Sequence, residues 1–209
     1  MSVSLKSADD VAKMRVAGTL ASEVLDYIAP HVTAGVTTGE IDRLCHAYMV
    51  DVQHTVPAPL NYAPPGYQPY PASICTSVNH VVCHGIPGDK KLKAGDIVNI
   101  DVTVIKDGFH GDTSRMFYVG APPIQARRLC EVTYEAMWRG IRTVRPGPTW
   151  ATSARRFSAM PRAKASPSCA NSAATALAVS FTRSRKCCIT DAPARDSSCS
   201  REWSSPSSR

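Results

Sequence analysis

The sequence predicts an α+β domain, and three observations carry that prediction: two amphipathic helical stretches in the first fifty residues, a cluster of short β-forming segments between 73 and 120, and a third helical stretch behind them. With 209 residues, 44% hydrophobic and 20% charged, the chain is long enough to bury a core and too apolar for a disordered class.

From Ser7 to Pro30 the apolar residues Val11, Met14, Val16, Leu20, Val24, Leu25 and Ile28 recur at helical spacing, and Ser7 with Asp10 gives a start signal. A second helix begins at Thr37, where Glu40 completes a capping box, and runs through Ile41, Leu44, Cys45 and Met49. Residues 56–71, VPAPLNYAPPGYQPYP, hold six prolines and are expected to be neither helix nor central strand, but a loop bearing three tyrosines. SICTSVNHVVCHGIP reads as two short β segments around a turn at Asn79. KAGDIVNIDVTVIKDGFHGDTSRMFYVG reads as a hairpin turning at Asp107 and Gly108. The third helix, from about Pro123 to Val144, sets Leu129, Val132, Met137 and Ile141 on one face.

Several function classes are excluded early. No run of 18 apolar residues occurs, and the start MSVSLKSADD has neither a basic n-region nor an apolar h-region, so the expectation is a cytoplasmic protein without membrane contact. The eight cysteines, at 45, 75, 83, 130, 169, 187, 188 and 199, form no CxxC pair, which argues against a structural zinc site and a secreted disulfide framework. The net charge of +7 suggests an acidic partner until it is located. Residues 1–150 hold 14 basic and 14 acidic side chains, whereas 151–209 hold 10 and 3. The whole excess lies in a tail with 14 Ser, 12 Ala and 8 Arg, no Gly and no His, and no sustained period, so no specific nucleic-acid partner is expected.

The hairpin carries the chemistry. Along its first strand Ile97, Asn99, Asp101, Thr103 and Ile105 share one face and Val98, Ile100, Val102 and Val104 the other. A two-residue turn at 106–107 or 107–108 makes cross-strand partners sum to 213 or 215, and both registers put Asp112 on the face of Asp101, opposite it or one diagonal away. Two carboxylates roughly 5 to 8 Å apart repel unless a cation or proton intervenes. One outcome is a divalent metal site; the other leaves an aspartate exposed or paired with Arg115. His84, in VVCHGIP beside a glycine, and His110, next to the turn, carry no role by themselves.

The stretch VNHVVCHGIPGDKKLKAGDIVNIDVTVIKDGFHGDTSRMFYVG resembles the signature region of type I methionine aminopeptidases, members of the pita-bread fold shared with prolidase and creatinase. The resemblance covers about residues 5–150 and is densest from 73 to 120. It implies the first half of that fold, antiparallel strands covered by helices, and a hydrolase that removes the initiator methionine from nascent polypeptides. It further implies two divalent ions (Co, Mn, Fe or Zn), with Asp101 and Asp112 as the first two of five ligands and Asp112 bridging. His84 becomes the catalytic histidine that hydrogen-bonds substrate, while Tyr67, Tyr70 and Cys75 line the methionine pocket. A monomer, with ribosome association, fits the same picture. A prolidase or aminopeptidase P relative shares the metal layout and is the alternative enzyme.

Beyond 150 the resemblance breaks. The family's remaining ligands are a His and two Glu, with a further catalytic His in an FHEEP-like segment, yet this chain has no His after His110 and only Glu202 beyond Glu135. The missing segments appear one reading frame away. Codons that encode 163–178, AKASPSCANSAATALA, permit GKGFSVVREFCGHGIG when read one base earlier; likewise 151–162 permits GDIGAAIQRYAEG, 179–191 permits RVFHEEPQVLHYG, and 202–209 permits GMVFTIEP. Four segments recovered in order point to an out-of-frame, disordered tail beginning near Trp150 and to a literal chain that is truncated and inactive. In the first half, Leu20, Val24, Leu44, Met137 and the strand face of Val98, Ile100, Val102 and Val104 are then expected to lose their partner surface and lie exposed.

Overall fold

The computed structural model describes residues 5–142. Helix α1 spans Ala8–Ile28 and α2 spans Thr38–Ala47, continuing into a π-helical turn at Tyr48–Val52. Four strands follow, β1 (Val56–Pro57), β2 (Cys75–Val78), β3 (Ile97–Lys106) and β4 (Phe109–Tyr118), and then α3 (Ile124–Ile141). Strand β3 is the spine of the sheet. It pairs antiparallel with β4 along its whole length on one edge, and with β2 and β1, end to end, on the other.

The start signal of α1 is present in full. Ser7 Oγ accepts the Asp10 N–H at 3.1 Å and the Asp10 carboxylate accepts the Ser7 N–H at 2.9 Å, which satisfies two helix-end donors reciprocally. The buried face of α1 differs from the expected one. Ala17, Ala21, Val24, Leu25 and Ile28 are buried, whereas Val11 and Val16 are 38% and 50% exposed. The cause is a close approach: a Cβ on Gly111 of β4 would stand 1.9 Å from the Ala17 carbonyl oxygen, so strand and helix meet backbone to backbone and only small residues fit between them. At α2 the capping box is half made. Thr37 Oγ1 accepts from Glu40 N–H at 3.1 Å, but the Glu40 carboxylate turns outward to Arg43 at 2.6 Å instead of reaching back.

Two β expectations need correction. Val56–Pro57, placed in the loop by its prolines, pairs with Ile105 and Val104, a position where Pro costs nothing because the strand is only two residues long and lies at the sheet's edge. Of the two segments around Asn79 only Cys75–Val78 is a strand, and it pairs with β3 rather than with residues 81–84. Asn79 does turn, at φ 56°, and its side chain ties Asp96 at 2.8 Å. The hairpin turn falls at Asp107 and Gly108, with φ of 50° and 81°, as a two-residue primed turn demands.

The core lies between α1, α2 and one face of the sheet: Val24, Leu25, Ile28, Ile41, Met49, Val98, Ile100, Val102 and Val104 are all but inaccessible, and Leu20 and Leu44 pack against them. The expectation that Val98, Ile100, Val102, Val104 and Val24 lie uncovered is therefore overturned. Helix α1 crosses that face and covers it. The accessible face is the opposite one, with His110, Asp112, Ser114, Met116 and Tyr118 exposed along β4. Helix α3 buries Cys130, Val132, Ala136 and Gly140, leaves Ile124, Tyr134, Trp138 and Ile141 exposed, and half-buries Leu129 and Met137. Its expected extension to Val144 and the tail 151–209 lie outside the described residues.

Candidate active site

Pairing of Asp101 with Ser114 and of Thr103 with Asp112 gives the register summing to 215. Asp101 and Asp112 thus stand on the accessible face of the β3–β4 ribbon as diagonal neighbours, roughly 7 to 8 Å apart by strand geometry. Gly111 fixes this orientation. Its Cα is pressed against the Ala17 carbonyl, so the next residue must face the other way.

The alternative pairing with Arg115 does not occur. Arg115 sits opposite Ile100, on the core-side row, and its guanidinium meets Asp26 of α1 at 2.8 Å. Asp101 is half-buried and Asp112 exposed. Two hard-oxygen donors on one face fit a divalent cation as part of a donor set. Among the described residues no group of three or more His, Cys, Asp or Glu converges to complete it.

Cys75 extends the row. It pairs with Asp101 across β2–β3, so Cys75, Asp101 and Ser114 line up across three strands. Against Cys75 lies Tyr70, whose hydroxyl is 3.2 Å from the Ile74 carbonyl and 3.1 Å from the Gly85 carbonyl. Burial, then hydrogen bonding to the Cys75 thiol, and the negative field of Asp42 and Asp101 all push the Tyr70 phenol up, so it remains a protonated donor. Tyr70 and Cys75 therefore meet beside Asp101.

Gly85, the neighbour of His84, joins this neighbourhood through its backbone. Gly85 accepts from the Thr76 N–H at 2.8 Å, and a Cβ there would stand 2.1 Å from the Thr76 carbonyl oxygen, so only glycine lets the chain press against β2. His84 next to it takes φ 54° and is exposed. Tyr67 is not drawn in. It is 76% exposed, with its N–H on the Pro64 carbonyl.

Sequence reasoning passed over Asp42 and His46. One turn apart on α2, they reach the segment before β2: Asp42 Oδ1 accepts from the Ser73 and Ile74 N–H groups at 2.9 and 3.0 Å, and His46 Nδ1 lies 2.7 Å from Ser73 Oγ. The available signal was an Asp and a His spaced i, i+4 around the core residue Cys45. Among the described residues no helix is long and apolar enough to cross a membrane.

Residues 12–165 match the model of metallopeptidase family M24. The methionine aminopeptidase of Escherichia coli K12 is 59% identical over 148 residues, covering 70% of this chain and 54% of that protein. The enzyme of that name from Rickettsia prowazekii is 56% identical over 147 residues, with the same 70% and 54% coverage. The chain spans about half the length of the curated relatives it matches. In three dimensions it is similar to the crystal structure of methionine aminopeptidase from R. prowazekii, with TM-score 0.73 and 50% identity over 78% of this chain and 63% of that one. The Xaa-Pro dipeptidase of Bacillus anthracis, with TM-score 0.66 and 18% identity over 77% of this chain and 42% of that one, shares the fold alone. The α+β expectation and the pita-bread resemblance thus agree with the folds it matches, and the chain belongs to metallopeptidase family M24.

Proposed function

We propose that residues 1–150 are the first half of a methionine aminopeptidase, and that the reaction of the intact lineage is hydrolytic removal of the N-terminal methionine from nascent polypeptides in the cytoplasm. The observation that carries it is the placement of Asp101 and Asp112 on one accessible sheet face, in a chain 59% identical to the E. coli protein. Bound divalent ions, Co, Mn, Fe or Zn, supply Lewis acidity and an activated water. Asp101 and Asp112 would hold them. Tyr70 and Cys75 form one wall of the methionine pocket, and Tyr67, exposed on the same loop, is the third lining residue that the resemblance assigns. His84, exposed at the end of the glycine-pinned turn, donates a hydrogen bond to the substrate's peptide group.

The literal chain is a different matter. Residues 151–209 read as an out-of-frame continuation beginning near Trp150, which removes three of five expected ligands and the further catalytic histidine. We assign the 209-residue polypeptide no turnover, and regard a monomer that acts on nascent chains at the ribosome as the property of the intact lineage.

Resequencing the DNA across codons 148–152, followed by expression of the frame-corrected protein with Co or Mn, tests both statements. Cleavage of Met-Gly-Met is expected, with Met-Ala-Ser preferred over Ala-Pro-Ser. No cleavage of Met-Gly-Met would overturn the assignment; preference for Ala-Pro-Ser would move it to the prolidase branch.

A further inference from the structure

Asp42, His46 and Ser73 are the residue types of a hydrolytic triad, yet they are not arranged as one. Ser73 is 2% exposed, and Asp42 Oδ1 accepts from two backbone N–H groups while the imidazole bonds Ser73 Oγ. Their geometry serves another purpose. Asp42 Oδ1 grips consecutive amides at 73 and 74, and His46 grips the side chain at 73, so two adjacent turns of α2 hold three points of one short segment. That segment is flanked by Tyr70 and Cys75. The Ile74 carbonyl lies 3.2 Å from the Tyr70 hydroxyl, which also spans to the Gly85 carbonyl beside His84.

We propose that Asp42, seconded by His46, is a positioning residue that sets the Tyr70–Cys75 wall from the far side of the strand by clamping the Ser73–Ile74 backbone to α2. Naming the wall's role rests on the function proposed above; the clamp does not. Without an acceptor at 42 two buried amides lose their partner, and the segment opens locally more often while the α1-covered core is untouched. Cys75, buried now, becomes accessible whenever the segment lifts. Cys130, in α3, is the internal control because it lies on an element the clamp does not touch.

The test is site-resolved iodoacetamide labelling of the full chain at fixed pH, read by mass spectrometry, for the wild type, Asp42→Ala, Asp42→Asn and His46→Ala. Asp42→Ala is expected to raise the labelling rate of Cys75 about tenfold relative to Cys130, corresponding to the loss of a charge-assisted hydrogen bond. Asp42→Asn, which keeps one acceptor oxygen, should stay within about threefold of wild type, and His46→Ala should give a smaller selective rise. A merely structural role would raise Cys75 and Cys130 together, or make Asn as damaging as Ala; either result overturns the proposal, as does an unchanged Cys75 in both Asp42→Ala and His46→Ala. Should Asp42→Ala fail to fold, the His46→Ala ratio decides alone. If the clamp is found but frame-corrected protein does not cleave Met peptides, the function fails and the clamp stands.

Discussion

Gly111 and Ala17 meet at their backbones: a methyl group on Gly111 would lie 1.9 Å from the Ala17 oxygen and 2.2 Å from its carbonyl carbon. Neither atom can rotate away. Gly111→Ala should therefore lower stability by about 3 kcal/mol in urea unfolding, at the upper end for overpacking. Gly18, one residue along the helix, has nothing within 4 Å of its own Cβ position. Gly18→Ala should gain about 1 kcal/mol from helix propensity. If both substitutions proved neutral, the close approach would be wrong.

The capping box at Ser7 gives a second expectation. Ser7→Ala removes the acceptor for the Asp10 N–H and should cost about 1 kcal/mol, most visibly as faster hydrogen exchange in the first turn of α1. Thr37→Ala should behave alike at α2, whereas Glu40→Ala should not, because Glu40 bonds Arg43 and not the helix end.

Two aspartates should oppose one another in acid. The Asn79 side chain holds the Asp96 carboxyl below its ordinary 3.8, against an opposing burial effect and with help from the Lys93 N–H. Its stabilisation is present above that value and is lost as the pH falls through the lowered one. Burial acts on Asp42 more strongly than its two amide bonds and pushes its carboxyl up from 3.8, so its effect is full below 3.8 and fades as the pH rises through the raised value. Across pH 2 to 6, Asp96→Asn should flatten the acid loss of stability. Asp42→Asn should gain on the wild type as the pH rises, and a constant difference would refute the direction.

Metal should do little to the 209-residue chain. Two aspartates on an open face are expected to bind Mn only weakly, and at a concentration equal to Kd a ligand adds about 0.4 kcal/mol. Thermal melting with and without millimolar Mn is expected to agree within error. A clear rise with Mn, together with Met-peptide turnover, would show a complete site and end the out-of-frame interpretation.

The parts of this fold legible in the sequence are those set by local chemistry. Asp107 and Gly108 dictate the turn, the turn dictates the register, and the register puts Asp101 and Asp112 on one side. The parts that were not legible are set by partners distant in the chain. Nothing local at Val16 or Ala17 says that β4 will press its backbone onto α1, so the apolar count favoured Val16 over the alanine that is buried. Residues 81–84 have the composition of a strand, but His84 at φ 54° leaves extended geometry, and the segment meets the free edge of β2 at the Thr76 N–H to Gly85 carbonyl bond without becoming a strand. Similarly, Val98 to Val104 could be assigned a face, though not a cover, from their alternation alone. Of the site residues, Tyr70 and Cys75 converge beside Asp101 while Tyr67 stays in solvent, a difference of three positions in one proline-rich loop.

The contact at Gly111 also guards the hairpin against miscounting. An even slip of β4 along β3 keeps the same side chains on each face, but an odd one exchanges them and turns either His110 or Asp112 toward α1. Neither side chain fits where the missing Cβ already would collide. An even slip would still bring Phe109 or Thr113, with its side chain, to the point where Gly111 meets Ala17. The helix thus reads β4 at a single position, admitting the register in which residue 111 arrives there, and an insertion of one residue at the turn would be rejected by steric collision before any ligand was present to notice.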